Sequence, residues 1–261
     1  MTDKFVSPHD AADIMMGLGE KLLLCGAEVY RVEDTVKRVG KAYGARYVNV
    51  FVVMSMIMIT ITFDGAEPIT VMRRAIKGNS ISLRRLMLLN SLSRRICAHE
   101  ISVDEARAEL EKIDKLRSVS LLQLVLGGAL STAAFAFFFG GTLIDSVVAA
   151  LVSTVITTLT FYFKKKSLNG VMSTLAVSFS GGLLALLFSY ICGASYSADA
   201  AMIADIMIIV PGMGFTNALR DLMTGDTMTG TMRLAEVLMN VLAIAGGYAA
   251  AILLLGGGVA I

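Results

Sequence analysis

Imidazole and thiol groups are scarce in this chain, and charge is scarce in its second half. His9 and His99 are the only histidines, too few for a histidine-ligated metal centre. The three cysteines, Cys25, Cys97 and Cys192, have no CxxC spacing and make no even set, so they are expected to be reduced structural thiols rather than a disulfide framework or a zinc site. A net charge of +2 is too small to argue for nucleic acid. No GxxxxGK[ST], GxSxG, HExxH or DxDxDG pattern occurs, and Gly17-Leu18-Gly19 and Gly225-Asp226-Thr227 are too short to stand for one, so no enzyme and no cofactor is expected. The N-terminus carries no signal-peptide pattern, because Glu20 and Lys21 interrupt its first apolar run.

What the chain has in quantity is apolar residues, 56% of 261, with a mean hydropathy of +0.72. Residues 1–117 hold 18 Lys/Arg and 15 Asp/Glu, whereas residues 118–261 hold 5 and 6. This asymmetry predicts an α-helical polytopic membrane protein of about five spans, preceded by a small cytoplasmic α+β domain. The division falls at 1–117 and 118–261.

Within 1–117, Ile14, Leu18, Leu22 and Cys25 share one helical face, and Val29, Val32, Val36 and Val39 share another. Gly26 separates the two helices. The run 46–63, RYVNVFVVMSMIMITITF, is apolar enough to suggest a span. However, Val48 to Phe63 is shorter than the ~20 residues a spanning helix needs. It is also rich in β-branched residues and ends at Asp64-Gly65, a strong hairpin signal. Strands at 46–53 and 56–63, with a third from Glu67 to Met72, are expected instead. Residues 73–95 carry Arg73, Arg74, Lys77, Arg84, Arg85, Arg94 and Arg95 with no acid between Glu67 and Glu100. They form either a solvated helix face or a basic face toward anionic lipid or an anionic ligand. A final helix opens on the capping box Ser102/Glu105 and ends near Arg117.

Spans are expected at 119–139, 143–163, 168–192, 200–219 and 234–255, each near bilayer length. All five Lys/Arg after Arg117 (Lys164, Lys165, Lys166, Arg220, Arg233) fall in loops on one side. By the positive-inside rule the N-terminal domain is then cytoplasmic and the C-terminus outside. Small residues four apart (Gly127/Ser131, Gly128/Thr132, Gly181/Ala185, Gly246/Ala250) suit close helix packing. Ser153, Thr154, Thr157, Thr158 and Thr160 suit either a bundle interior or bonding back to their own helix.

Candidate chemistry concentrates in residues 205–236. Asp205 is the one acid well inside an expected span, where a carboxylate is by default a proton, cation or partner site. Pro211-Gly212 breaks the same span. Such a break is tolerated only where it is buried in protein or lines a wet cavity. The half-helix after it, carrying Asn217, would point its positive end at an anionic group. Arg220, Asp221 and Asp226 read either as an inner gate or as helix caps, and Arg233 and Glu236 as a simple i,i+3 pair.

The stretch PGMGFTNALRDLMTGDTMTGTMRLAE resembles the PG…N..RDL..GD..(S/T)G..R..E pattern of the threonine/serine exporter family. LLLCGAEVYRVEDTVKRVGKAYG and VMRRAIKGNSISLRRLMLLNSLSRRI resemble two further family segments, so the likeness runs from about residue 14 to 240. It implies efflux of small amino acids driven by proton uptake. It also places Glu28, Arg31, Glu33, Arg73 and Arg74 in a soluble-domain motif, and Pro211, Gly212, Asn217, Arg220, Asp221, Gly225, Asp226, Gly230, Arg233 and Glu236 in the membrane motif. Thr229 stands where the family often has serine. The chain is similar to the larger subunit of the split form, which implies a smaller membrane partner and leaves threonine/serine or a dicarboxylate as substrate. Further copies of the chain are an additional partner option. The competing reading is a membrane-anchored sensor whose soluble domain carries the function.

Overall fold

The computed structural model describes residues 6–53, 56–74, 82–116 and 119–255, with Arg74 described by its backbone alone. Two compact units are present, Met1–Arg117 with Thr216–Leu234 and Ser118–Phe215 with Ala235–Ile261. The chain passes between them within two helices, so a segment late in the sequence folds with the N-terminal residues.

In the first unit, helix α1 (Pro8–Leu24) and helix α2 (Val29–Ala42) bury the two predicted faces. Gly26 turns the chain between them at φ +85°, a conformation that favours glycine. Strands β1 (Tyr47–Val53), β2 (Met56–Thr62) and β3 (Ile69–Arg74) make an antiparallel sheet in the order β1-β2-β3. The apolar run 46–63 is therefore a hairpin and not a span. Its period of two explains this, since Val50, Val52, Ile57, Ile59 and Ile61 are buried while Phe51 and Tyr47 face out. The third strand starts two residues later than expected, after Gly65 takes the turn at φ +75°. Helices α3 (Leu83–Cys97) and α4 (Val103–Asp114) close the core through Leu89, Leu92, Ile96, Ala106 and Leu110. The Ser102/Glu105 capping box is formed, with the Ser102 N–H donating to Glu105 at 2.8 Å and the Glu105 N–H to Ser102 Oγ at 3.3 Å.

The second unit is built from α5 (Leu121–Phe138), α6 (Leu143–Lys165), α7 (Gly170–Cys192), α8 (Ala198–Ile209) and parts of α9 (Gly212–Met223) and α10 (Thr227–Leu255). Helices α5, α6, α7 and α10 are long and apolar enough to cross a membrane, and α8 with α9 makes a fifth candidate bent by 51°. Helix α10 starts seven residues before the expected span. Asp226 explains the extension, because its carboxylate accepts from the Thr229 N–H at 3.3 Å and caps the helix.

The small-residue expectation divides. A Cβ on Gly128 would lie 2.8 Å from Thr157 Oγ1, and one on Gly181 2.8 Å from Ile156, so both are close helix approaches. Gly127 and Gly246 face open space, while Gly247, unremarked in the sequence, lies against the α7 backbone at Leu175 and Phe179. Ser153, Thr154, Thr158 and Thr160 bond back to carbonyls of their own helix.

Candidate functional site

In the second unit, Asp205 is fully buried on α8, and neither carboxylate oxygen has a hydrogen-bond partner among the described residues. Four residues later α8 ends, because Pro211 cannot continue the ladder and Val210 adopts an extended backbone. The Gly212 N–H turns back to the Val210 carbonyl at 2.9 Å, and the Phe215 N–H bonds to the Pro211 carbonyl at 3.0 Å. Helix α9 thus restarts at once after the break.

The unit holds other buried polar groups. Tyr248 on α10 packs with Met202 and Ile206 of α8, and its hydroxyl is buried without a hydrogen-bond partner among the described residues. It lies within electrostatic range of the Asp205 carboxylate. Ser178 Oγ on α7 is also buried and unpartnered among those residues. Tyrosine or serine in a span is too common for the sequence alone to single these out.

A second buried acid, Asp145 at the start of α6, contrasts with Asp205. One of its oxygens accepts from the Thr142 N–H and hydroxyl, and the other from the Ser197 N–H at 2.7 Å. It caps a helix and ties down a loop. The Thr142-x-x-Asp145 spacing before an apolar run is the signal that could have marked it. Of the two buried carboxylates, only Asp205 lacks a structural partner.

The first unit gathers the polar residues of α9 and α10 around the start of α2. Glu28 is the N-cap residue of α2 but gives it no side-chain cap. Instead its carboxylate accepts from the guanidinium of Arg220 and pairs with Arg31 at 3.5 Å. Asp221, buried, accepts a hydrogen bond from the Val29 N–H, so α9 caps α2. The Asn217 side-chain amide donates to the Gly26 carbonyl at 3.2 Å. Arg233 forms an ion pair with Asp221 at 2.8 Å, both side chains being largely buried. Glu28, Asn217, Arg220, Asp221 and Arg233 are therefore one cluster, although almost two hundred residues separate its halves.

One turn and one close helix approach make this cluster possible. Gly225 adopts φ +92° between α9 and α10. A Cβ on Gly230 would come within 2.8 Å of the Leu222 amide nitrogen, so only glycine lets the two helices approach this closely. Thr229 is fully buried beside them, and its hydroxyl has no hydrogen-bond partner among the described residues.

The remaining expectations separate from the cluster. Arg233 pairs with Asp221 and not with Glu236, whose backbone carbonyl accepts from the Asn240 side chain. A buried aspartate without another counter-ion outcompetes an i,i+3 glutamate. Glu33 accepts from the Val52 N–H at 3.3 Å and pairs with Lys37, which pins α2 to β1. Arg73 bonds to Glu20 at 2.8 Å. The Arg74 side chain and Lys77 lie outside the described residues. The basic stretch is therefore not one uniform solvated face. Arg85 donates to the Asp114 and Leu116 carbonyls, and Arg95 binds both oxygens of Glu109.

The thiols Cys25 and Cys97 are pushed above the usual range by burial, more than nearby arginines lower them, so neither is an activated nucleophile.

The family model for threonine/serine exporters matches residues 13–255. No curated protein and no solved structure matches the chain.

Proposed function

The chain belongs to the threonine/serine exporter family, a transporter family, and from that membership we propose that it is one subunit of a proton-coupled exporter of small amino acids or a related small carboxylate. The observation that carries the mechanism is Asp205, fully buried with no partner for either oxygen among the described residues, one turn and a half before a proline break. Burying an ionised carboxylate without a partner is costly, so the group takes up a proton or a cation when water is excluded and releases it when water enters. A group that cycles in this way can link proton entry to substrate exit. The hydroxyls of Tyr248 and Ser178 supply further polar contacts in the same bundle.

The break after Val210 supports substrate binding. A half-helix beginning at Gly212 directs its positive end toward the Val210-Pro211 break, where it would favour a substrate carboxylate. The cluster of Glu28, Asn217, Arg220, Asp221 and Arg233 holds the far end of that half-helix and acts as its gate. The basic loops argue that these residues and the N-terminus face the cytoplasm, with the C-terminus outside. Five candidate spans make an odd number, which fits a transporter half completed by a smaller, oppositely oriented membrane subunit. The chain stands in the bilayer of the cell membrane as a multi-pass protein.

Efflux of labelled threonine, serine and succinate from loaded cells, with the chain expressed alone and with a short membrane protein encoded beside it, tests this reading. The expected result is accelerated efflux that needs both chains and follows an imposed pH gradient. Asp205→Asn is expected to lower gradient-driven efflux at least ten-fold while membrane insertion is kept, and Asp205→Glu to retain part of it. Undiminished gradient-driven efflux in Asp205→Asn would remove this carboxylate from the mechanism.

A further inference from the structure

Helices α2 and α3 in the first unit do not close on each other along their outer edges. Between them lies an open cleft of about 840 Å³, within the range of small-molecule sites. Its lining includes no residue of α9 or α10, and among the described residues it meets the α9 cluster only through the Arg31–Glu28 pair. Its walls combine two features.

The first is uncompensated positive charge. Arg31, Arg38 and Arg94 line the cleft against one acid, Asp34. Arg38 is already engaged, with Asp34 at 2.8 Å, and Arg31 with Glu28. Arg94 has no partner among the described residues, and its own helix offers none, since the sequence holds no acid between Glu67 and Glu100. The other arginines of α3 show the contrast, because Arg85 and Arg95 are both bonded within the fold.

The second feature is exposed apolar surface. Tyr30, Leu83 and Met87 each leave more than half their surface uncovered, at 61%, 62% and 64%, and all three line this cleft. Large apolar side chains beside an unpaired guanidinium suit a ligand with an anionic end and an apolar body.

We propose that the α2/α3 cleft is a binding site for a small organic carboxylate, held by the Arg94 guanidinium with its apolar part against Tyr30, Leu83 and Met87. Arg31 and Arg38 add a positive field at the rim. A carboxylate matches the planar fork of arginine bidentately, whereas a neutral amide of the same shape cannot. Covalent attachment is not involved, since the Cys97 thiol in the wall is held protonated by burial.

Binding is measured on the full chain in nanodiscs of zwitterionic lipid, by titration calorimetry with benzoate, benzamide and inorganic phosphate. Saturable benzoate binding is expected, with benzamide at least ten-fold weaker and phosphate, which lacks the apolar body, weaker than benzoate. Arg94→Gln is expected to weaken benzoate about ten-fold or more, the loss of one charge-assisted contact. Arg84→Gln, on the exposed face of α3 outside the cleft, should leave affinity unchanged and so report any general loss of positive field. Equal affinity for benzamide, undiminished affinity in Arg94→Gln, equal losses in the two variants, or no saturable binding would overturn the site. Anionic lipid suppressing a benzoate signal that Arg94→Gln leaves unaltered would assign the basic face to the membrane surface instead. The readout is binding, so its outcome is independent of whether the chain exports amino acids.

Discussion

Asp205 and Asp221 are both buried acids, yet they occupy opposite situations. Asp221 has a buried arginine at 2.8 Å and a backbone N–H, whereas Asp205 has neither. The first is therefore held in place by its partners, and the second is the carboxylate proposed above to exchange a proton. Removing one member of a buried ion pair leaves the other uncompensated, at a cost of roughly 3–5 kcal/mol. Arg233→Gln is thus expected to lower the unfolding temperature of the solubilised protein sharply, and the double variant Asp221→Asn/Arg233→Gln to recover part of the loss. A double-variant melt as low as the single variant would mean the pair is not the reason. Sequence spacing alone could not separate these roles, because Arg233 is equally placed for Glu236 and the competition is decided by what is buried beside it.

Among the elements, the caps were the most legible features. Ser102/Glu105 predicted the start of α4, and Thr142/Asp145 opens α6 in the same way. Glu105 is held below its usual carboxylate range, chiefly by hydrogen bonds from Ser102. A depressed carboxylate stabilises above its unfolded pKa and loses that contribution as pH falls through the folded value. Amide protection in the first turn of α4, measured against the intrinsic exchange rate at each pH, is therefore expected to fall as the pH drops below the usual glutamate range. In Ser102→Ala that protection should be low at neutral pH already, while α3 is unaffected. The α9–α10 turn is a different kind of element, set by space. Gly230→Ala would press a methyl against the Leu222 backbone, costing about 1–3 kcal/mol. That cost should appear as loss of the Arg220–Glu28 contact, read by whether cysteines placed at these two positions still cross-link.

For the whole molecule, four long apolar helices are present, and counting the bent α8–α9 pair as a fifth span, with the basic loops expected on one side, makes a topological prediction. A reporter active only in the cytoplasm should be active at the N-terminus and inactive at the C-terminus, and a cytoplasmic C-terminus would remove one of the five crossings. The α8–α9 pair is the crossing at risk, since it is bent by 51° and neither half alone has spanning length. Thr216–Leu234 group with the N-terminal residues, which hydrogen-bond and ion-pair with the end of α9 through Glu28, Asn217, Arg220 and Asp221.

Length, β-branched residues and the Asp64-Gly65 turn in the sequence alone were enough to favour strands over a span at residues 46–63, because each is a local signal. Hydropathy likewise set the long apolar helices, since each carries its own signal within some twenty residues. Which small residues touch, which aspartate lacks a partner, and that Glu28 meets Arg220 were decided only by tertiary structure. These are long-range contacts, chosen by competition among groups the chain brings together only when folded. Local pattern carries no record of that competition.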